Sequence, residues 1–425
     1  MKTLLALVLF AAPAGAQSEP NWPRFRGPTG QGLSTDTALP LSWDASTRVA
    51  WKTEIPGEGW SSPIVWGDRA FVTSATEGGK GCHVFCLDAG SGKIRWDQKV
   101  FDQETGRKEG KNSYATPTPC TDGTRVYAVF GGGGAAALDF DGKLLWTNQD
   151  VKFYSRHGLG ASPIVIDGLL VMPYDGSTRV DRSGGPPNNL AEERVGWQIP
   201  WDKAEIVALD GATGKRVWTG KRGMSRIAHA TPIVVDGQIV SIAGDAVQGF
   251  DPKTGERLWS VYCQGEGLTP SPVAGDGLLY AASGFEKTTL RGIRLGGKGD
   301  VTASAIAWEQ KKGVPTQPSL LFVKPYLYAV TEGGVASCFK ADSGEIVWQE
   351  RLTTAKTGFC ASPLAAGGRI YVLSEAGETT VLEAGPVFKV LSRNALGEKC
   401  QASPAVSRGR LFIRTEKNLF CIAGD

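Results

Sequence analysis

The side chains best suited to chemistry stand just before a recurring tripeptide of a small residue, a polar residue and proline. They are Trp60, Tyr114, His157, His229, Leu268, Phe359, Cys400 and Gln401, with Glu58, Lys111, Asn112, Arg156, Arg226 and Glu266 close by. Aromatic faces beside cations suit a planar anionic ligand, the rings stacking and Arg or Lys taking carboxylates. The candidate ligand-binding set is therefore Trp60, Tyr114, Lys111, Asn112, Arg156, His157, Arg226, His229, Glu266 and Gln401. No catalytic residue is assigned. His157 and His229 occupy matching places in neighbouring repeats, but a metal there needs further ligands at about 2 Å that the pattern does not supply. No metal site is expected. A histidine base would also need a nucleophile beside it, and none is marked.

The other reactive type is cysteine. Cys82, Cys86, Cys120, Cys263, Cys338, Cys360, Cys400 and Cys421 contain no CxxC, and eight cysteines allow 105 pairings, so no disulfide map follows. Cys82 and Cys86 sit about 13 Å apart along a predicted strand, too far to bridge. Several of the eight are expected to be buried apolar residues.

The scaffold for these residues comes from repetition. Eight openings read Ser61-Ser62-Pro63, Ala115-Thr116-Pro117, Ala161-Ser162-Pro163, Ala230-Thr231-Pro232, Pro270-Ser271-Pro272, Thr316-Gln317-Pro318, Ala361-Ser362-Pro363 and Ala402-Ser403-Pro404. They recur at intervals of about 40 to 70 residues, the size of a four-stranded propeller blade. Within a unit the apolar period is two, as in Pro163–Ile166 and Leu169–Met172, joined by Asp167-Gly168. Asp-Gly between β-rich runs predicts a hairpin whose turn positions take positive φ. It recurs at Asp122-Gly123, Asp236-Gly237 and Asp276-Gly277.

A second motif closes each unit. Asp210-Gly211-Ala212-Thr213-Gly214-Lys215-Arg216-Val217-Trp218 is its clearest copy, with the same Asp-to-Trp spacing at Asp88/Trp96 and Asp251/Trp259. Lys340/Trp348 keeps the spacing and loses the acid. Asp139/Trp146 is one residue short. Trp308 serves a stretched fifth unit, and Leu391 replaces the indole of the seventh. The Asp should cap a turn, and the Trp should wedge between neighbouring sheets. The eighth unit ends before its outer strand, which Val49–Thr53, with Trp51, is expected to supply. The fold class is thus all-β: an eight-bladed propeller of four-stranded blades, the last closed by an N-terminal strand.

The Asp…Thr-Gly…Trp unit, repeated in register over residues 48–425, resembles the tryptophan-docking motif of pyrroloquinoline-quinone (PQQ) repeats. These build eight-bladed propellers in quinoprotein alcohol dehydrogenases and in the non-catalytic outer-membrane assembly factor BamB. Asn21-Trp22-Pro23-Arg24-Phe25-Arg26-Gly27-Pro28, with Gly30 and Gly32, is similar to the lead-in of exported bacterial PQQ-like propellers. The dehydrogenases carry a vicinal cysteine pair, a calcium site of Glu, Asn and Asp, an Asp base and in some cases a haem domain. No adjacent cysteines and no CxxCH occur here, and the calcium set cannot be placed residue by residue. BamB-like proteins are lipoproteins, and no cysteine follows the expected leader cleavage site.

Composition agrees with a turn-rich β-protein: of 425 residues 56 are glycine, about twice ordinary usage, with 24 prolines and 13 tryptophans. A net charge of +3 excludes a strong polyanion binder, so no nucleic-acid partner is expected. Residues 1–16 have the basic, apolar and small-residue parts of a signal peptide, followed by a lead-in over 17–47 and one propeller domain over 48–425. The expected protein is exported, periplasmic or secreted, monomeric and not membrane-spanning. It is expected to be a non-catalytic scaffold binding a protein, glycan or small ligand at the channel mouth. The alternative is a divergent PQQ-dependent oxidoreductase using PQQ with Ca²⁺. The long insertion from 176 to 203, with Asp181, Arg182, Asn188, Asn189, Glu192 and Trp197, is expected to reach over that mouth.

Overall fold

The computed structural model describes residues 21–424 apart from 107, 152, 154, 156, 177–203, 224–226, 264–268 and 285–287. Eight antiparallel sheets of four strands form the blades of a propeller ring. The third blade is representative, with strands Ile164–Ile166, Leu169–Tyr174, Glu205–Asp210 and Arg216–Lys221 in that spatial order. Its first hairpin turns on Asp167 (φ 48°) and Gly168 (φ 78°), and the Asp-Gly pairs at 236 and 276 repeat this geometry. Asp122-Gly123 differs. Only Gly123 takes a positive φ, while the Asp122 carboxylate accepts from the Thr124 and Arg125 amides. The fourth blade gains a short fifth strand, Gly299–Asp300, which pairs in parallel with Arg257–Tyr262.

In six of the eight blades the outer strand carries an indole that donates to the next blade. Trp218 Nε1 donates to Pro252 O at 3.0 Å, and its ring lies over Gly255, where a Cβ would fall 2.4 Å from the indole. Gly255 also has φ +72°, so both backbone and space demand glycine there. Trp51, Trp96, Trp146, Trp308 and Trp348 likewise donate to a carbonyl of the following blade, at 2.9–3.1 Å. Trp259 does not. It faces the stretched fifth-unit connection, and its indole turns back to Gln238 Oε1 at 2.8 Å. In the seventh blade, where Leu391 replaces the indole, the lead-in supplies one: Trp43 stacks on Tyr371 at 6.5 Å. The turn acids act as caps. Asp210 Oδ1 accepts from the Thr213 hydroxyl and from the Thr213 and Ala212 amides, and these bonds hold its carboxyl below the usual range.

The seam closes as the unfinished last unit requires. Val49–Glu54 pairs antiparallel with Asn418–Ala423, setting Trp51 opposite Cys421 and Lys52 opposite Phe420. Arg414 crosses the same seam, donating to Ser61 Oγ and Thr73 O at 2.5 and 2.6 Å. Wholly buried and with no carboxylate beside it among the described residues, its guanidinium is pushed down to about 9 by desolvation. Gly59 leaves room for it, since a Cβ there would come within 2.6 Å of Nη2.

A ring of hydrogen bonds sets the blades about the axis. The Ser62 amide donates to Thr118 Oγ1, Thr118 to Ser162, Ser162 to Thr231, Thr231 to Ser271, Ser271 to Ser319, Ser319 to Ser362, Ser362 to Ser403, and Ser403 back to Ser62. All eight distances lie between 2.9 and 3.0 Å. Each hydroxyl stands two residues before an innermost strand. This corrects the register of two repeats: Thr118 and Ser319, not Thr116 and Gln317, hold the equivalent positions. Thr116-Pro117-Thr118-Pro119 offers the motif twice, and the sixth unit has Leu320 where the proline should be.

The lead-in runs across the far side of this ring. Trp22 exchanges backbone bonds with Val65 of the first blade, and Pro23 O accepts from Thr121 of the second. Gln31 Oε1 accepts from Ala274 of the fifth, Arg26 donates to Leu320 O of the sixth, and Gly32 and Ser34 bond Ala365 of the seventh. It thereby satisfies inner strand edges that would otherwise be unpaired, and it stops the channel at that end.

Two stability outcomes follow. Trp218→Ala should lower unfolding free energy by about 3–5 kcal/mol, the range for removing a buried aromatic, as read by urea denaturation. Ser162→Ala, which orphans the Thr118 amide, should cost about 1–3 kcal/mol, whereas Ser162→Thr should restore the bond, since threonine serves at 118 and 231.

Candidate functional site

Inside the ring lies a cavity of ≈ 580 Å³, within the size range of small-ligand sites. Phe25 of the lead-in forms part of its lining at the stopped end, and all eight ring residues line its waist. Above them the wall is made by residues from the connections between blades. These are Trp60, Glu109, Lys111, Asn112, Thr116, His157, Thr269, Gln317, Cys360 and Gln401. The inner strands are constrained to repeat, whereas these connections differ in length and sequence, so the variable chemistry collects at one mouth.

Six residues of the expected set meet here: Trp60, Lys111, Asn112, His157, His229 and Gln401. Tyr114 does not line the cavity. Its ring packs against Gly79, where a Cβ would meet it at 2.0 Å, and its hydroxyl donates to Gly106 O at 2.5 Å. Phe359 and Cys400, which also precede openings, are buried in the blade cores. Arg156, Arg226 and Glu266 lie outside the described residues, as do Leu268 and the insertion residues Asp181, Arg182, Asn188, Asn189, Glu192 and Trp197.

The mouth is bridged by one charged contact. Lys111, on the connection entering the second blade, reaches Glu375 of the seventh at 2.7 Å. Cys360 Sγ lies 2.8 Å from the same Oε1 and 2.9 Å from Gln317 Oε1. Burial, then the neighbouring carboxylate, pushes the Cys360 thiol up to about 12, so it stays protonated and donates. Burial alone would raise Glu375, but the bonds from Cys360 and Lys111 more than offset it and hold the carboxyl below its usual range. All eight cysteines are unbridged, and six of them are buried.

The two histidines pack edge to face with ring centres 6.1 Å apart. Burial, with His157 beside it, drives His229 down to about 3, so it is neutral, and its Nδ1 meets no hydrogen-bond partner among the described residues. His157 Nδ1 lies 3.7 Å from Glu109 Oε2. Asn112 clamps the rim by donating to His157 O at 2.7 Å. Gln401 is 8% exposed, and neither atom of its amide has a partner among the described residues. Trp60 is buried beneath the Lys399 ammonium, 5.5 Å from the ring centre.

Phe25, Gln317, Cys360 and Glu375 belong to the site and were not anticipated. Gln317 was visible only as the polar member of an opening; the two-residue register change frees it to face the cavity. Glu375 lies 264 residues from Lys111, and nothing local marks their meeting.

The cavity can be tested for PQQ, whose carboxylates require cations. Among the described lining residues the only Lys or Arg is Lys111, and Glu375 already neutralises it. Among the described residues no three His, Cys, Asp or Glu side chains are grouped to hold a metal ion. The described wall therefore does not fit a quinone tricarboxylate with calcium.

Comparison with known proteins places the fold. No curated protein matches the sequence significantly. BamB from Moraxella catarrhalis superposes with a TM-score of 0.60 at 16% identity, covering 88% of this chain and 96% of that one. A europium-containing methanol dehydrogenase gives 0.68 at 12% identity, covering 94% and 90%. Quinohemoprotein alcohol dehydrogenase from Comamonas testosteroni gives 0.65 at 12%, covering 97% and 82%. Among the described residues no helix is long and apolar enough to cross a membrane. Residues 42–185, 182–305 and 297–385 match the family described as outer membrane protein assembly factor BamB, and the chain belongs to that family.

Proposed function

We propose that this protein is an exported, non-catalytic β-propeller, one domain over residues 48–425, that binds a ligand in its blind central cavity. The observation that carries this reading is Gln401. Neither polar atom of this buried amide has a partner among the described residues, so both are available to a ligand that enters the cavity it lines. The stopped channel supports the same reading, because it makes a pocket of what would otherwise be a pore.

The groups that would do covalent or acid–base chemistry are set against it. Cys360 is held as a thiol, His229 is neutral far below physiological pH, and the ring hydroxyls each hold a backbone amide. Export is inferred from the leader pattern of residues 1–16, and family membership is consistent with it.

Supplied with PQQ and Ca²⁺, the purified protein should reduce no artificial electron acceptor with alcohols or sugars, and calorimetry should show no saturable PQQ binding at micromolar levels. Turnover in that assay would replace this reading with the oxidoreductase one. Sequencing of the mature protein should place its N-terminus at Gln17; an intact Met1 in a cell-free fraction would remove the export claim.

A further inference from the structure

We infer that the ligand of the central cavity is a neutral, polyhydroxylated molecule, a short saccharide, held by amide and hydroxyl side chains at the waist and by Trp60 at the rim. This rests on the binding reading above and specifies its ligand.

Charge comes first. The one lysine on the described wall is paired with Glu375, and Glu109 has His157 within 3.7 Å. Among the described residues an ionic ligand would meet no free counter-charge here, which disfavours its burial. A neutral ligand avoids that penalty.

Hydrogen-bonding character comes second. Each ring hydroxyl accepts one amide N–H and still carries its own proton, and only Ser362 gives that proton to a fellow ring hydroxyl, Ser319, at 3.0 Å. The waist therefore presents donors on many sides. Gln401 adds an unpaired donor and an unpaired acceptor, and neutral His229 adds an unpartnered Nδ1. A wall that offers and asks for hydrogen bonds in every direction is matched by a molecule whose hydroxyls do both.

Shape and stacking come third. The cavity of ≈ 580 Å³ is compact, and the Trp60 ring, covered on one side by the Lys399 ammonium, contributes its remaining edge to the lining at the rim. Sugars present C–H faces between their hydroxyls, which suits such a ring. An extended peptide is disfavoured because it needs main-chain partners. The ring amides, the nearest inner-strand donors, are already given to the neighbouring hydroxyls.

The test uses the full mature chain and three named probes, cellobiose, maltotriose and N,N′-diacetylchitobiose, by calorimetry and ligand-observed NMR. At least one should bind saturably at or below about 10 mM, within reach of a weak millimolar site. Gln401→Met should weaken that binding by about tenfold or more, while its melting temperature stays equal or rises, because an apolar side chain of similar length replaces an amide left unsatisfied among the described residues. A fall in melting temperature with unchanged affinity would make Gln401 structural and overturn the assignment. So would silence from all three sugars, or tighter binding of an acidic oligosaccharide than of its neutral counterpart. Those results would leave the binding reading standing on another ligand class. PQQ-dependent turnover would instead remove both.

Discussion

A four-stranded blade has two apolar faces and can bury neither alone. Each face must find a neighbour, and eight neighbours in a circle meet this demand only if the circle closes. Everything else in the protein answers to that requirement. The outer strand of the last blade, Val49–Glu54, comes from the head of the chain and pairs with Asn418–Ala423. Arg414, buried with no carboxylate partner among the described residues, spends its guanidinium on Ser61 and Thr73 of the first blade. Where the seventh blade lacks its own indole, Trp43 arrives from the lead-in to stack on Tyr371. The constraint is on filling the gap, not on which segment fills it.

Closure also makes the site. Eight blades meet at the axis through one hydroxyl each, and the circle of amide-to-hydroxyl bonds leaves those hydroxyls facing a common space. The ring is structural for the blades and chemical for whatever enters. The lead-in then turns a pore into a pocket by bonding to inner edges that the propeller itself cannot satisfy. One geometric solution thus yields a rigid waist, a stopped end and an open mouth.

The mouth is where the repeats of this chain differ most from one another. Blade interiors are held to one pattern by packing, but the connections between blades are not, and among the described residues they bring amides, hydroxyls, two histidines, a thiol and a lysine paired with Glu375. The Lys111–Glu375 contact binds the connection entering the second blade to the seventh blade.

The repeat was legible in the sequence because it is local. Asp210 caps its own turn, Gly214 takes φ +70° within it, and Trp218 lies a fixed distance along the same chain. From such units blade number, strand order and the need for a closing strand follow by counting. Tyr114 shows where that reasoning ends: it precedes an opening as Trp60 does, yet it is drawn under the Gly79 turn by packing that no spacing encodes. Thr116 and Gln317 show the same limit, since a two-residue register change, visible only when the hydroxyl ring is complete, sends them to the cavity. Phe25 reaches the site because the lead-in crosses the axis, and Glu375 because blades distant in sequence are brought together at the mouth. The sequence alone determined the blade, its turns and its docking indole, since these depend on neighbours along the chain. Tertiary structure decided which side chains share the cavity and which charges cancel, since those depend on residues brought together only when the ring closes.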